Sequence, residues 1–294
     1  MNENDDLVSV IIATYNRAQW LKRALKSVIK QTHKNLEIII VDDNSNDNTP
    51  ELVNDFIKND KRIIFLRNEK NQGIGFNRGA GLSVSKGAFI SFLDDDDEWL
   101  ENKIEYQLKK AKELNAPVLI LCNGYDYVRI QKYSMDLSAP EGFIHFRKNT
   151  TPLGYSLPSP SHWFFSRAVF ETVGNYDPDL RSWADAAYLL RISLNKIPIY
   201  YCNKLLVRRY RLENEEYVSQ VGEKWICSKE LFLNKYYNAV RKDRYFLFRF
   251  YYSMGKDCLK INNKKKARSY FLKSLKLRPY KLDIAVKYCR LLKA

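Results

Sequence analysis

Val8-Ser9-Val10-Ile11-Ile12-Ala13-Thr14-Tyr15-Asn16-Arg17 is the stretch from which the rest of the chain can be read. An apolar run from Val8 to Ala13 stops at four polar residues. Such a run, bounded on both sides by polar positions, reads as a strand buried on both faces. Behind it Trp20, Leu21, Ala24, Leu25, Val28 and Ile29 recur at helical spacing. The alternation then repeats. Leu36 to Val41 is a second strand, and Leu52, Val53, Phe56 and Ile57 mark a helix face after the cap-type residues Asp47 and Thr49. Ile63 to Leu66, Phe89 to Leu93 and Val118 to Cys122 read as three further strands, with a helix from about Leu100 to Leu114 before the last. This order predicts an α/β fold with a mostly parallel central sheet and helices on both faces.

In such sheets ligands bind beyond the carboxyl ends of the strands. Three of these ends are polar: Thr14 to Arg17, Asp42-Asp43-Asn44-Ser45, and Asp94-Asp95-Asp96-Asp97. Each alone is ordinary turn chemistry; together, on one edge, they read as a site. Four adjacent carboxylates raise one another's pKa unless a cation lies near. A hard divalent ion, Mg²⁺ or Mn²⁺, suits one or two of them together with a substrate's phosphates. Asn71 to Gly79 is glycine-rich and contains Arg78, which could face a phosphate; it matches neither dinucleotide nor P-loop fingerprints.

The ordered set Val8 to Arg17, Ser27 with Gln31-Thr32, Glu37 to Ser45, Asn71-Gln72-Gly73, Lys86-Gly87 and Phe92 to Trp99 resembles the family 2 inverting glycosyltransferases, which have the GT-A (nucleotide-diphospho-sugar transferase) fold. The resemblance is dense over residues 7–100 and looser to about 211. It implies that Ala13, Thr14, Tyr15 and Arg17 lie at the nucleoside, with Tyr15 against the base. It implies that Asp43 hydrogen-bonds the base, favouring a UDP-sugar. Arg78 matches an arginine near the nucleotide, with Asn77 and Gly79 replacing the family's usual Ala and Asn. Asp94-Asp95-Asp96 matches the Asp-x-Asp signature, with Asp96 as the metal ligand for Mn²⁺ or Mg²⁺. In the later segment from Pro158 to Arg191, Asp185 falls on the position of the catalytic base, and Ala184 stands where the family carries a glutamate. His162, Trp163 and Trp183 are candidates for a sugar or acceptor pocket. The implied acceptor is a glycan or lipid-linked glycan, as in bacterial surface polysaccharide synthesis. The Gln-x-x-Arg-Trp signature of processive synthases is missing, which favours one sugar per cycle. Two other readings compete with this one. A nucleotidyltransferase would need a glycine-rich loop after the first strand, which Thr14-Tyr15-Asn16-Arg17 does not provide. An inactive helical-repeat scaffold is suggested only by Ala184.

The chain has 294 residues and a net charge of +15, and 45% apolar with 14% aromatic residues suffices for a packed core. The charge is divided unevenly: residues 1–199 sum to −1 and residues 200–294 to +16. We therefore expect a catalytic domain over 1–211 and a basic helical region over 212–294. In the latter, Trp225, Phe232, Tyr236 and Tyr237 are spaced for a buried face. Tyr251, Met254, Gly255, Cys258, Ala267, Phe271 and Pro279 follow one tetratricopeptide-like hairpin, with Lys264-Lys265-Lys266 in its turn. The positive charge fits a solvated face, an anionic membrane surface contacted through residues 200–294, or an acidic partner. Nucleic acid is disfavoured, because the first two thirds carry no excess. Five scattered cysteines, a polar N-terminus and the lack of any long apolar run lead us to expect free thiols, no secretory signal and no membrane span. The expected location is cytoplasmic, peripheral at the inner membrane face.

Overall fold

The computed structural model describes residues 6–126, 140–146, 149–154, 158–210 and 222–280. Part of the irregular stretch between Tyr125 and Ser161, the segment containing Arg211, Leu212 and Glu213, and Cys289 fall outside the described residues. The predicted strands are all present: β1 (Val8–Thr14), β2 (Leu36–Asp42), β3 (Ile63–Arg67), β4 (Phe89–Asp94) and, after a short β5 (Asp97–Trp99), β6 (Leu119–Asp126). Between them lie α1 (Ala18–Ile29), α2 (Thr49–Asn59), α3 (Ile74–Val84) and α4 (Lys103–Leu114). β1 and β2 are buried along their whole length, as unbroken apolar runs require.

The first four strands in space run β3-β2-β1-β4, all parallel. The register sets Ala13 beside Val41 on one side and Asp94 on the other, so the three polar strand ends meet at one edge. The sheet then turns mixed. β8 (Trp163–Ser166) joins β4 and β6 antiparallel, and the long β9 (Ile199–Arg209) runs parallel to β6 and antiparallel to β5. A short β7 (Gly142–Phe143) adds to β9.

The glycine-rich stretch is a short loop to Gly73 and then enters α3 at Ile74. Its glycines let the helix lie directly on the sheet: a Cβ on Gly81 would come within 2.5 Å of Ile11. Alternate strand residues face opposite layers. Val10, Ile12, Ile38 and Leu93 meet α1 and α4. Ile11, Ile39, Val41 and Phe92 join a second core with α5 (Arg167–Val173) and α6 (Ala184–Leu194), and this core continues into the C-terminal helices.

Those helices are α7 (Glu223–Val240), α8 (Arg244–Lys260) and α9 (Lys264–Leu277). Met254, Cys258, Ala267 and Phe271 pack the α8–α9 hairpin as the spacing implies. Two details differ. Lys264-Lys265-Lys266 forms the first turn of α9, not the turn before it, because Asn262 makes the turn at φ 59° and the Asn263 side chain caps Lys266 N at 3.0 Å. Tyr237 is exposed, and Val240 fills the face instead. Cys122, Cys202 and Cys258 are buried free thiols, and Cys227 is an exposed one. Among the described residues no helix is long and apolar enough to cross a membrane.

Candidate active site

The nucleoside-side candidates gather where β1, β2 and β4 end. Asp43 N donates to Thr14 O at 2.9 Å, tying the first two strand ends together. Asn16, at φ 51°, receives Asn46 N on its side-chain oxygen at 2.7 Å and donates its own N–H to Ser45 Oγ at 2.8 Å. Tyr15 stays exposed at the mouth, while Ala13 and Thr14 are buried. Asp43 is buried and accepts from Gln72 N at 2.7 Å, Gly73 N at 2.8 Å and Asn68 Nδ2 at 2.9 Å. Both its oxygens thus hold the loop entering α3. Gly73, at φ 90°, lets that loop make its turn.

The aspartate run divides its work. Asp95 accepts from Thr14 Oγ1 at 2.8 Å and from Arg17 at 3.1 Å, and Arg17 reaches Asp96 at 3.0 Å. Asp94 accepts from Arg78, and its N–H donates to Ser161 Oγ at 3.0 Å. Carboxylate oxygens of Asp94, Asp96 and Asp97 lie within 4.8 Å of one another. Burial pushes Asp95 up to about 7, with the charge of Asp96 adding and Arg17 opposing. Burial also raises Asp96 and raises Asp97 well above the usual range, the neighbouring aspartates adding to both. Carboxyls whose ionisation burial and mutual repulsion oppose fit a hard divalent cation, which would relieve both effects. The sequence reading singled out Asp96; the geometry adds Asp94 and the buried Asp97, already visible as the last member of the run.

Arg78 joins this cluster to the base candidate. It is almost wholly buried and pairs with Asp94 through one nitrogen and Asp185 through the other. Burial opposes its charge, but Asp185 and Asp94 overcome this and hold it protonated. Asp185 lies in the first turn of α6 and also accepts from Tyr176 OH at 3.1 Å. Burial raises its pKa, with Asp94 adding, while Arg78 and Tyr176 work against the rise. Tyr176 escaped the sequence reading, although it lies within the matched segment. Ala184 is buried against Gly75, where a Cβ would stand 2.8 Å from that of Ala184. A glutamate at 184 would therefore meet α3.

A cavity of about 300 Å³ opens beside Asp185, lined among others by Pro158, Pro160, Trp163, Trp183 and Phe246. Two of the three pocket candidates, Trp163 and Trp183, are thus brought together with Asp185. His162 is not. It is fully buried against Gly124, whose Cβ would come 2.5 Å from His162 Nε2, and Nδ1 faces Ser159 O at 3.1 Å. Burial pushes it down to about 3, with Arg209 adding, so the ring is neutral. Phe246 comes from α8, and nothing in its sequence context marks it as part of a site.

A family model described as glycosyl transferase family 2 matches residues 9–174, more than half of the chain. An uncharacterized glycosyltransferase of Rickettsia conorii is 47% identical over 112 residues, which is 38% of this chain and 18% of that protein. The Escherichia coli UDP-Glc:alpha-D-GlcNAc-diphosphoundecaprenol beta-1,3-glucosyltransferase WfgD is 42% identical over 138 residues, 47% of this chain and 53% of that one. The matched part is therefore between under a fifth and about half the length of these relatives. Among solved structures, the first 349 residues of S. aureus TarS in complex with UDP-GlcNAc align with TM-score 0.72 at 19% identity, covering 91% of this chain and 81% of that one. That likeness shows the GT-A-type fold.

Proposed function

The chain belongs to glycosyl transferase family 2, and from that premise we propose that it is a metal-dependent inverting glycosyltransferase. It moves a sugar from a UDP-sugar to a hydroxyl of a glycan or lipid-linked glycan. The observation that carries this reading is the Arg78 bridge from the aspartate cluster to Asp185. It leaves an acidic cluster that would hold a cation and a candidate base on either side of one charged side chain. The name of the E. coli relative, a glucosyltransferase acting from UDP-Glc on a diphosphoundecaprenol-linked sugar, supports the donor and acceptor classes.

The reaction is a single displacement. An acceptor hydroxyl gives its proton to Asp185, its oxygen bonds the anomeric carbon, and the bond from that carbon to the diphosphate oxygen breaks, with inversion. Arg78 and the Tyr176 hydroxyl orient the Asp185 carboxylate and favour its charged form. Asp94, Asp96 and Asp97 would hold Mn²⁺ or Mg²⁺, whose chemistry is to neutralise the charge that gathers on a departing diphosphate. Tyr15, exposed at the mouth beside the strand ends, suits contact with the base. The +16 charge of residues 200–294 suits peripheral contact with an anionic membrane, where a lipid-linked acceptor lies.

The test is UDP release from UDP-glucose, UDP-galactose and UDP-N-acetylglucosamine with Mn²⁺. Asp185→Asn should lower turnover by about 10²- to 10⁴-fold while leaving UDP affinity within a few-fold. Near-normal turnover in that variant would sink the assignment of the base. Pyrophosphate-dependent turnover of UDP-sugars would point instead to nucleotidyl transfer.

A further inference from the structure

His162 is set away from the cavity, but the residue before it meets the aspartate run. Ser161 is fully buried in the turn Pro160–His162, far downstream of that run in the chain. Its Oγ accepts from Asp94 N at 3.0 Å, and its carbonyl accepts from Trp99 Nε1 at 2.8 Å. One residue therefore holds both ends of the stretch from Asp94 to Trp99. The same hydroxyl interacts with the Asp97 carboxylate and favours its charged form. The turn that carries Ser161 is itself tied down. His162 N donates to Ser159 O at 3.0 Å, His162 O accepts from Gln107 Nε2 at 3.1 Å, and Trp163 O accepts from Ser91 Oγ at 2.6 Å. Gln107 and Ser91 are both fully buried.

The middle of the run is held by other groups. Asp95 and Asp96 lie between β4 and β5. Asp96 O accepts from Arg23 at 2.6 Å, and the Asp95 carboxylate accepts from Thr14 and Arg17. Ser161 acts at the two ends, from which Asp94 and Asp97 project.

We propose that Ser161 is a positioning residue for the divalent cation, holding the main chain of the aspartate run so that its carboxylates converge before the ion arrives. The proposal rests on the metal-dependent reading above. Asp94, Asp96 and Asp97 repel one another while no ion is bound, and that repulsion drives the run to open. A hard cation such as Mg²⁺ demands oxygens at nearly fixed positions. The brace must therefore act on the metal-free chain. A lysine or arginine at 161 would hold the run but would also repel the ion. A neutral hydroxyl on a rigid turn holds it without competing charge. Partners that orient a metal's ligands without touching the metal commonly matter by one to two orders of magnitude in affinity.

The experiment uses the full chain freed of metal. Mn²⁺ binding is measured by equilibrium dialysis, without UDP and with the same UDP in both chambers. UDP affinity is measured separately in EDTA. Ser161→Ala should raise the Mn²⁺ dissociation constant by about tenfold or more, while UDP affinity in EDTA stays within a few-fold of the parent. Ser161→Cys keeps the volume but offers only a weak donor and acceptor. It should lose affinity in the same direction, and it carries the test if the alanine variant does not fold. Ser91→Ala is the control. It removes an equally buried hydroxyl that holds the same segment at Trp163 O, so it should lower the melting temperature and leave Mn²⁺ binding within a few-fold. Unchanged Mn²⁺ affinity in the Ser161 variants overturns the proposal. So does an equal loss in Ser91→Ala, which would make the effect one of general stability. A parent that binds no Mn²⁺, with or without UDP, overturns the cation reading and the proposal with it; UDP release from a sugar donor in EDTA would then leave glycosyl transfer standing without a metal.

Discussion

Lys103 shows what a single buried charge does to this fold. Its side chain is fully buried, with Nζ 3.0 Å from Ser91 Oγ and 3.9 Å from the Trp99 ring centroid. Burial pushes its pKa down to about 8. Below pH 8 both folded and unfolded chains carry the charge, and folding bears its full desolvation cost. Between about 8 and 10.5 the unfolded chain holds a proton that the folded one has released, so this group makes stability rise with pH there. Lys103→Met should raise stability at pH 7 by roughly 1–3 kcal/mol and flatten the pH dependence between 8 and 10, read by thermal melts. A melt lowered at pH 7 would mean that the cation–π contact outweighs desolvation. Asp185 was readable at this scale because a motif frames it. Phe246 was not, since an aromatic residue inside an amphipathic helix looks the same whether it faces core or cavity.

The α8–α9 hairpin illustrates the element scale. The spacing of Met254, Gly255, Cys258, Ala267 and Phe271 was legible, because side chains three and four apart share a helix face. The reason for a glycine at 255 was not: a Cβ there would stand 2.6 Å from the Phe271 ring, which is fully buried and cannot swing aside. Gly255→Ala would gain about 1 kcal/mol of helix propensity but should lose about 1–3 kcal/mol to overpacking. The melting temperature should fall by a few degrees, and an unchanged or higher melt would show that the two helices separate freely. Strand β9 was not read from sequence. Its eleven residues include the exposed Asn203 and Lys204 and end in arginines, so it lacks the unbroken apolar run that announced β1 and β2.

At the scale of the whole molecule, the crowded carboxylates couple charge to stability. Asp95 at about 7 in the folded state against an ordinary aspartate in the unfolded one means that the folded chain binds the extra proton. Stability of the metal-free protein should therefore fall as pH rises from about 4 through about 7. Cation binding should run the other way, since the protons that burial favours on Asp96 and Asp97 compete for the oxygens that would hold the ion. Saturating Mn²⁺ should raise the melt more at pH 8 than at pH 6, by up to about 2.7 kcal/mol at a hundredfold excess over Kd. Equal shifts at both pH values would remove the ion from the aspartate cluster. The charge division also gains content here. The described helices of the +16 region share a continuous apolar core with the family-matched part, so the two pack together despite their different charge.

Sequence alone determined the alternating strands, their polar ends and the family, because buried parallel strands must be continuously apolar and a catalytic motif must keep its order. It also determined that Asp94 to Asp97 crowd together, since adjacent residues cannot avoid one another. Tertiary structure decided which of these aspartates share a metal-sized space, that Arg78 spans from them to Asp185, and that Phe246, from a helix far downstream, lines the cavity beside it. Those are contacts between residues far apart in the chain. They depend on sheet register and helix packing, which leave no local pattern to read.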